Sequence, residues 1–262
     1  MSDKKIGIVL SGGGARGIAH LGVLKALEEA GVFPQYISGT SAGSIVGALY
    51  AAGYSPEEMK SLLKETGYMR AISFGWGRQG ILNSNSIQSV LLKYIHGMQF
   101  SELKKKLWIC ATNMSDGVYE FFEEGDVTEA VLASCAIPIV FTPMRKNGKV
   151  YSDGGLLNNF PIEPLENKCD LILGVDVNPI DHADDLESWR KIGERTYMLA
   201  VKQNTLLRRP RCHWLVEPKK LIGIGVFDVK KVDDLMEIGY EAARLKIAQQ
   251  HPLELLVNVP PS

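Results

Sequence analysis

Gly39-Thr40-Ser41-Ala42-Gly43 has the form G-x-S-x-G. Where such a pentapeptide joins a strand to a helix, the turn thrusts the serine hydroxyl outward as a nucleophile. The context fits. Val32 to Ile37 before it is a strand-like run, and Ala42 to Ala52 after it is alanine-rich. Gly43, Gly47 and the alanines would let that helix lie close against a sheet. A second glycine turn, Ser11-Gly12-Gly13-Gly14-Ala15-Arg16-Gly17, follows the apolar run Ile6 to Leu10 and opens a helical pattern reaching Ala30, with Gly31 as its cap. In a parallel sheet both turns fall at the same edge, side by side. One offers backbone N–H groups and the other a hydroxyl, the parts of a nucleophile and its oxyanion hole.

A serine nucleophile needs a base. The five histidines, His20, His96, His182, His213 and His251, lie in no loop with a local signature and read as surface or packing residues. A carboxylate takes the serine proton directly where the oxyanion is well stabilised and the site is dry. Asp153 is one candidate, because Gly154 and Gly155 after it let the backbone approach another turn closely. The same three residues also read as a plain D-G turn. Asp176, within Gly174-Val175-Asp176-Val177, is a rival acid near the carboxyl end of a strand.

The first glycine turn also satisfies G-x-G-x-x-G, a dinucleotide fingerprint. That reading wants an acidic residue at the end of the second strand, and Ser38-Gly39-Thr40-Ser41 has none. An α/β-hydrolase would place several strands before its nucleophile, whereas one strand and one helix precede Ser41.

The elements that must position these residues are legible in part. Ile18, Leu21, Leu24 and Leu27 form one apolar stripe. Gly53 ends the helix after Ser41, and Ser55-Pro56-Glu57-Glu58 starts the next with a capping box. Asn85 starts another, with Ile87, Leu91 and Ile95 inward and Gly97 as its stop. Between them, Tyr68 to Leu82 is glycine-rich and aromatic; it reads as a loop packed on the body or as a flap over an apolar site. Leu107 to Thr112 and Val118 to Phe122 read as strands, and Asp126 to Glu129 as a capping box for a helix reaching Ala136. Pro138 and Pro143 bound an extended piece, and Lys146-Asn147-Gly148-Lys149 is a hairpin turn. Leu171 to Val177 is a strand covered on both faces. A long helical pattern from Asp181 to Arg211 carries Leu186, Trp189, Ile192, Leu199 and Leu206 as its apolar face. Its closing arginines, Arg208, Arg209 and Arg211, read as cations at a helix C-terminus or as a contact to anionic lipid. Cys212 to Val216 is the last strand. Leu235, Ile238, Ala242 and Leu245 mark a final helix.

The chain has 262 residues, 45% hydrophobic and 23% charged, with a formal net charge of −1, so no electrostatic argument favours nucleic acid. Cys110, Cys135, Cys169 and Cys212 form no C-x-x-C pair and read as free thiols. No signal peptide and no apolar run of roughly eighteen residues is present, which predicts a cytoplasmic chain. Peripheral membrane contact and oligomeric state stay open. The pattern predicts one α/β domain over residues 1–262 with a mostly parallel sheet.

Four segments together resemble the patatin-like phospholipases: Gly12 to Gly17, Gly39 to Gly43, Ala133-Ser134-Cys135-Ala136-Ile137-Pro138 and Asp153-Gly154-Gly155, with Asn158-Asn159 and Pro161 beyond. The run Ser44 to Gly53 is similar to the bacterial and neuropathy-target-esterase-like branch. The resemblance covers residues from about 5 to about 180. It implies a three-layer α/β/α sandwich and a serine–aspartate dyad, with Ser41 as nucleophile and Asp153 as base. It also implies an oxyanion hole from the backbone N–H groups of Gly12, Gly13 and Gly14 with Arg16 beside it, and makes Asp176 structural. The implied activity is hydrolysis of acyl esters of lipids, a phospholipid or lysophospholipid, with no metal and no other cofactor. A short-chain carboxylesterase or thioesterase on the same fold, or a non-catalytic adaptor, are the alternatives.

Overall fold

The computed structural model of the chain describes residues 4–65, 94–138, 141–180, 182, 186–226 and 231–256. The expectations for Tyr68 to Leu82 and for a helix from Asn85 fall outside the described residues.

An eight-stranded sheet forms the centre. Its parallel part runs β3 (Lys106–Asn113), β2 (Tyr36–Thr40), β1 (Ile6–Leu10), β7 (Leu171–Val175) and β8 (Trp214–Val216). Three strands are antiparallel: β4 (Val118–Phe122) and β6 (Lys149–Asp153) both pair with β3, and β5 (Met144–Lys146) pairs with β6. The β5–β6 hairpin turns through Asn147 and Gly148, with φ of 50° and 76°, as its Asn-Gly sequence requires.

Strand alternation divides the core. On β1, Ile6, Ile8 and Leu10 join one large apolar cluster, while Val9 points to the opposite face against Phe160, Ile162 and Leu165. Leu107, Ile109 and Trp108 on β3 divide in the same way. This period of two puts apolar side chains on both faces of buried parallel strands.

The helices are α1 (Ala19–Glu29), α2 (Ala42–Ala52), α3 (Pro56–Glu65), α4 (Val127–Ser134), α5 (Trp189–Leu206) and α6 (Val232–Gln249). A short 3-10 turn, Gly14–Ile18, leads into α1, whose stripe of Ile18, Leu21, Leu24 and Leu27 is buried as its spacing predicts. Ser55 and Glu58 cap α3 reciprocally, and the Asp126 carboxylate accepts the Glu129 N–H at the start of α4. Gly53 ends α2 with φ of 102°.

Two helices differ from expectation. α5 begins at Trp189, eight residues later than the pattern suggests. Its expected apolar face is the exposed one: Trp189, Ile192, Leu199 and Leu206 all face outward. Its inward face carries Met198, Val201 and Thr205, with Asn204 donating to the Gly155 carbonyl at 2.9 Å. That face holds polar loops rather than a sheet, so hydrogen-bonding residues occupy it. On α6, Leu245 is exposed, and Gly239 and Ala243 lie inward instead. The closing arginines meet acids of the chain: Arg208 pairs with Glu163, Arg209 with Asp176 and Glu217, and Arg211 with Glu166.

Candidate active site

The strand register brings the two ends of the site together. β4 covers one edge of β3 from Ile109 to Asn113. β2 pairs along the other edge and runs out at Thr40 opposite Cys110. β6 takes up that same edge from the opposite direction, with Asp153 facing Ala111. Thus two strands point their C-termini at one another along β3, and Ser41 and Asp153 stand at the junction. The Ser41 hydroxyl donates to Asp153 Oδ2 at 2.6 Å.

Ser41 itself is held in a strained turn, with φ of 52° and ψ of −123°. Such a backbone costs of order 1–3 kcal/mol for a residue with a side chain and persists only when its surroundings fix it. The surroundings are explicit. Ser41 N–H donates to Ser134 Oγ at 2.8 Å, and that hydroxyl donates to the Cys110 carbonyl at 2.6 Å. The Ser41 carbonyl accepts both the N–H and the hydroxyl of Ser44, at 2.8 and 2.6 Å. Gly43 lets the first turn of α2 rest on the end of β1: a Cβ there would meet the Leu10 carbonyl oxygen at 2.1 Å. Gly39 in turn lies against the backbone of Gly43 and Ser44.

Asp153 is buried, 1% exposed. Its Oδ1 accepts the Gly155 N–H at 2.7 Å, its carbonyl accepts the Thr112 hydroxyl at 2.9 Å, and its own N–H donates to the Ala136 carbonyl at 2.8 Å. Burial pushes its carboxyl up to about 6, against the opposing pull of the hydrogen bonds from Ser41 and Gly155 and of the nearby Tyr197 hydroxyl. Gly154 lies against the Cys110 carbonyl.

The glycine turn sits beside the serine because Leu10 pairs with Gly39. Its backbone is pinned from several sides. Ser11 N–H donates to the Val175 carbonyl at 3.1 Å, and the Asn178 amide donates to the Gly12 carbonyl at 2.6 Å. Gly12 N–H is committed to the Asn159 carbonyl at 3.3 Å, and Ala15 N–H to that of Val226 at 2.8 Å. Gly12 thus departs from its expected place in an oxyanion hole, because its donor holds the loop. Among the described residues the N–H groups of Gly13 and Gly14 donate to no protein acceptor, and both residues line a small cavity with Ser41 and Asp153. Arg16 is buried, and its Nε donates to the Ile224 carbonyl at 2.6 Å. It lines a larger cleft of 460 Å³ that shares Met198 with the Ser41 cavity.

The rival acid lies elsewhere. Asp176 Oδ2 is held by Lys202 at 3.0 Å and Arg209 at 3.2 Å, and its Oδ1 accepts the Asn178 N–H at 3.0 Å. It therefore belongs to an ion-pair cluster with Glu217. No described histidine bonds to Ser41 or Asp153. His20 is buried and pushed down to about 4 by desolvation, so its neutral ring donates Nε2–H to the Ser11 carbonyl at 2.8 Å. His213 Nδ1 accepts the Ile172 N–H at 2.9 Å. Among the described residues no group of three or more His, Cys, Asp or Glu side chains gathers as a metal would require.

Sequence reasoning missed Tyr197, Asn178 and the role of Ser134. Ser134 lay within a quoted motif, yet nothing in its neighbours signals that it would accept the nucleophile's N–H. Tyr197 and Asn178 reach the site from elements whose positions only the fold defines.

Comparison with known proteins agrees with this architecture. Lysophospholipase NTE1 of Cryptococcus neoformans var. neoformans serotype D is 31% identical over 285 residues, covering 93% of this chain and 17% of that protein. Lysophospholipase NTE1 of Saccharomyces cerevisiae is 31% identical over 194 residues, covering 71% of this chain and 12% of that protein. The chain thus spans less than a fifth of the length of these relatives. Among solved structures, VipD from Legionella pneumophila superposes with a TM-score of 0.56 at 15% identity, over 94% of this chain and 67% of that one. Human GIVD cytosolic phospholipase A2 superposes with a TM-score of 0.50 at 13% identity, over 97% and 60%. The patatin-like phospholipase family model matches residues 8–166. That match contains both members of the Ser41–Asp153 pair and the glycine turn, and this chain belongs to the patatin-like phospholipase family.

Proposed function

We propose that the protein hydrolyses acyl esters of lipids through a Ser41–Asp153 dyad, with a monoacyl phospholipid as the substrate class. The observation that carries the reading is the 2.6 Å hydrogen bond from a strained, buried serine to a buried aspartate, beside two backbone N–H groups that have no acceptor among the described residues. The substrate class rests on the similarity to relatives named lysophospholipases.

In the first step Ser41 Oγ attacks the acyl carbonyl carbon as Asp153 Oδ2 takes its proton. The N–H groups of Gly13 and Gly14 receive the oxyanion, at the start of the turn into α1 where backbone donors converge. Collapse expels the alcohol portion, which recovers the proton from Asp153. Water then gives a proton to Asp153 and attacks the acyl-serine; collapse releases the fatty acid, and Ser41 Oγ recovers the proton from Asp153. The cleft that shares Met198 with the Ser41 cavity receives the rest of the substrate.

A graded series of acyl esters, from acetyl to palmitoyl, compared between the wild type and Ser41→Ala, tests the reading. The expected result is best cleavage of long chains and an inactive variant. Cleavage of short chains alone would make the protein a carboxylesterase, and cleavage of none would favour an adaptor. Because Asp153 must be ionised to accept a proton, kcat/KM should fall below pH about 6, as its raised carboxyl protonates. A profile flat from pH 5 to pH 8 (roughly one unit below and two above the expected midpoint) would contradict the role of Asp153.

A further inference from the structure

The family match covers residues 8–166, but residues beyond it also line the Ser41 cavity. Tyr197 on α5 lines the Ser41 cavity, and its hydroxyl faces the Asp153 carboxylate across Gly155. Gly155 reports the packing. A Cβ placed on it would lie 2.9 Å from Asp153 Oδ1, 3.0 Å from Asn159 Oδ1 and 3.0 Å from the Tyr197 hydroxyl. The three oxygens therefore converge on one glycine, and a larger residue there would drive the phenol from the acid. Asn204, two turns along α5, ties the helix to the same segment through the Gly155 carbonyl at 2.9 Å and the Asn159 N–H at 2.8 Å.

The groups facing Asp153 are all neutral among the described residues. They are the Ser41 hydroxyl, the Gly155 N–H, the Tyr197 hydroxyl and the thiols of Cys110 and Cys135. Burial pushes both thiols up, so neither brings a charge. Among the described residues no cation compensates a buried carboxylate that must nevertheless be ionised to act. Its charge is supported by hydrogen-bond donors alone, and each donor then matters.

We propose that Tyr197 is a positioning residue for Asp153, its hydroxyl holding the carboxylate ionised and fixed while Oδ2 stays directed at Ser41. This rests on Asp153 being the base. The phenol remains a donor throughout the working range, because burial and the adjacent carboxylate push its own ionisation well above the ordinary value. The contact has two opposed consequences. It keeps Asp153 charged at lower pH, and it makes the charged form a slightly weaker base.

The test is the pH dependence of kcat/KM for the wild type, Tyr197→Phe, and a chain with ortho-fluorotyrosine incorporated at position 197. Phenylalanine keeps the ring and removes the donor. The acid limb should move up by about one unit, giving roughly tenfold less activity below the midpoint and a plateau within about threefold of wild type above it. The fluorinated phenol is a stronger donor of nearly the same shape, and the limb should move down. A uniform loss at every pH with an unmoved midpoint would show a packing role only and overturn the proposal. So would shifts of the same sign in both variants. Ser41→Ala and Asp153→Asn, assayed alongside, separate the two levels. If either stays active, the dyad reading fails; if both are inactive and the Tyr197→Phe limb does not move, only the role of Tyr197 fails.

Discussion

Asp153→Asn is expected to lose at least about 10³-fold in kcat, as a dyad stripped of its base would, and to unfold at a higher temperature than wild type at pH 8. The stability gain follows from the same burial that tunes the acid. The carboxyl titrates at about 6 in the folded chain, above its ordinary value of 3.8. Between those values the folded state binds more protons than the unfolded one, so stability falls as pH rises through that window. Above it, ionised Asp153 costs up to about 3 kcal/mol relative to its protonated form. Asparagine carries no charge, its carbonyl accepts the Gly155 N–H, and its amide donates to Ser41. Thermal unfolding at pH 4 and pH 8 checks this, at roughly 2–4 °C per kcal/mol for a chain of this size. The gain should be large at pH 8 and nearly absent at pH 4. Equal destabilisation at both would mean that the carboxylate is not paying a burial penalty.

Gly239→Ala is expected to destabilise the fold by about 3 kcal/mol or more, the upper range for overpacking a rigid contact. α1 and α6 cross with a glycine on each side. A Cβ on Gly239 would lie 1.9 Å from the Ala19 carbonyl oxygen, and one on Gly22 would lie 1.9 Å from that of Met236. Both obstacles are backbone, so relief requires the helices to separate. Alanine's better helix propensity returns only about 1 kcal/mol. Separation would also reach the active site, since α1 follows directly from the glycine turn and His20 holds the Ser11 carbonyl. Urea unfolding of Gly239→Ala and Gly22→Ala, with Gly193→Ala as control, makes the comparison. Gly193 lies within α5 with nothing near its absent Cβ, so that change should be neutral or stabilising. A Gly239→Ala midpoint equal to that of the control would contradict the close crossing.

The sequence was most readable where local rules decide the outcome. The β1 run, the α1 stripe, the Gly53 stop and the Asn147-Gly148 hairpin all follow from period, capping and turn chemistry, whereas the run Val32 to Ile37 becomes strand only from Tyr36, with β2 ending at Thr40. The side-by-side glycine turns followed from parallel pairing alone. Asp153 was harder. Its neighbours equally suit a D-G turn, and Asp176 equally suits a strand end. What separates them is that β6 continues the edge of β3 that β2 vacates, a long-range register with no local signature. α5 misled for the opposite reason. Its apolar residues are spaced as a core face, but the surface it covers is made of polar loops, so Asn204 and Thr205 go inward and Trp189 outward. Tyr197 could not be read, because its value lies in an acid forty-four residues earlier in the chain. Gly12 shows the limit of a motif. Three glycines in a row suggest three equivalent donors, yet one is consumed in holding the loop to Asn159.

The central claim is that Ser41 becomes acylated with Asp153 as its base. The most direct measurement is rapid-quench mass spectrometry of the protein mixed with a long-chain acyl ester of an activated phenol, whose leaving group makes deacylation the slow step. The account predicts a burst of phenol equal to the enzyme present, and one acyl group on the peptide containing Ser41. It also predicts that burst and adduct both vanish in Ser41→Ala. An acyl group on any other residue, or turnover undiminished in Ser41→Ala, would contradict it.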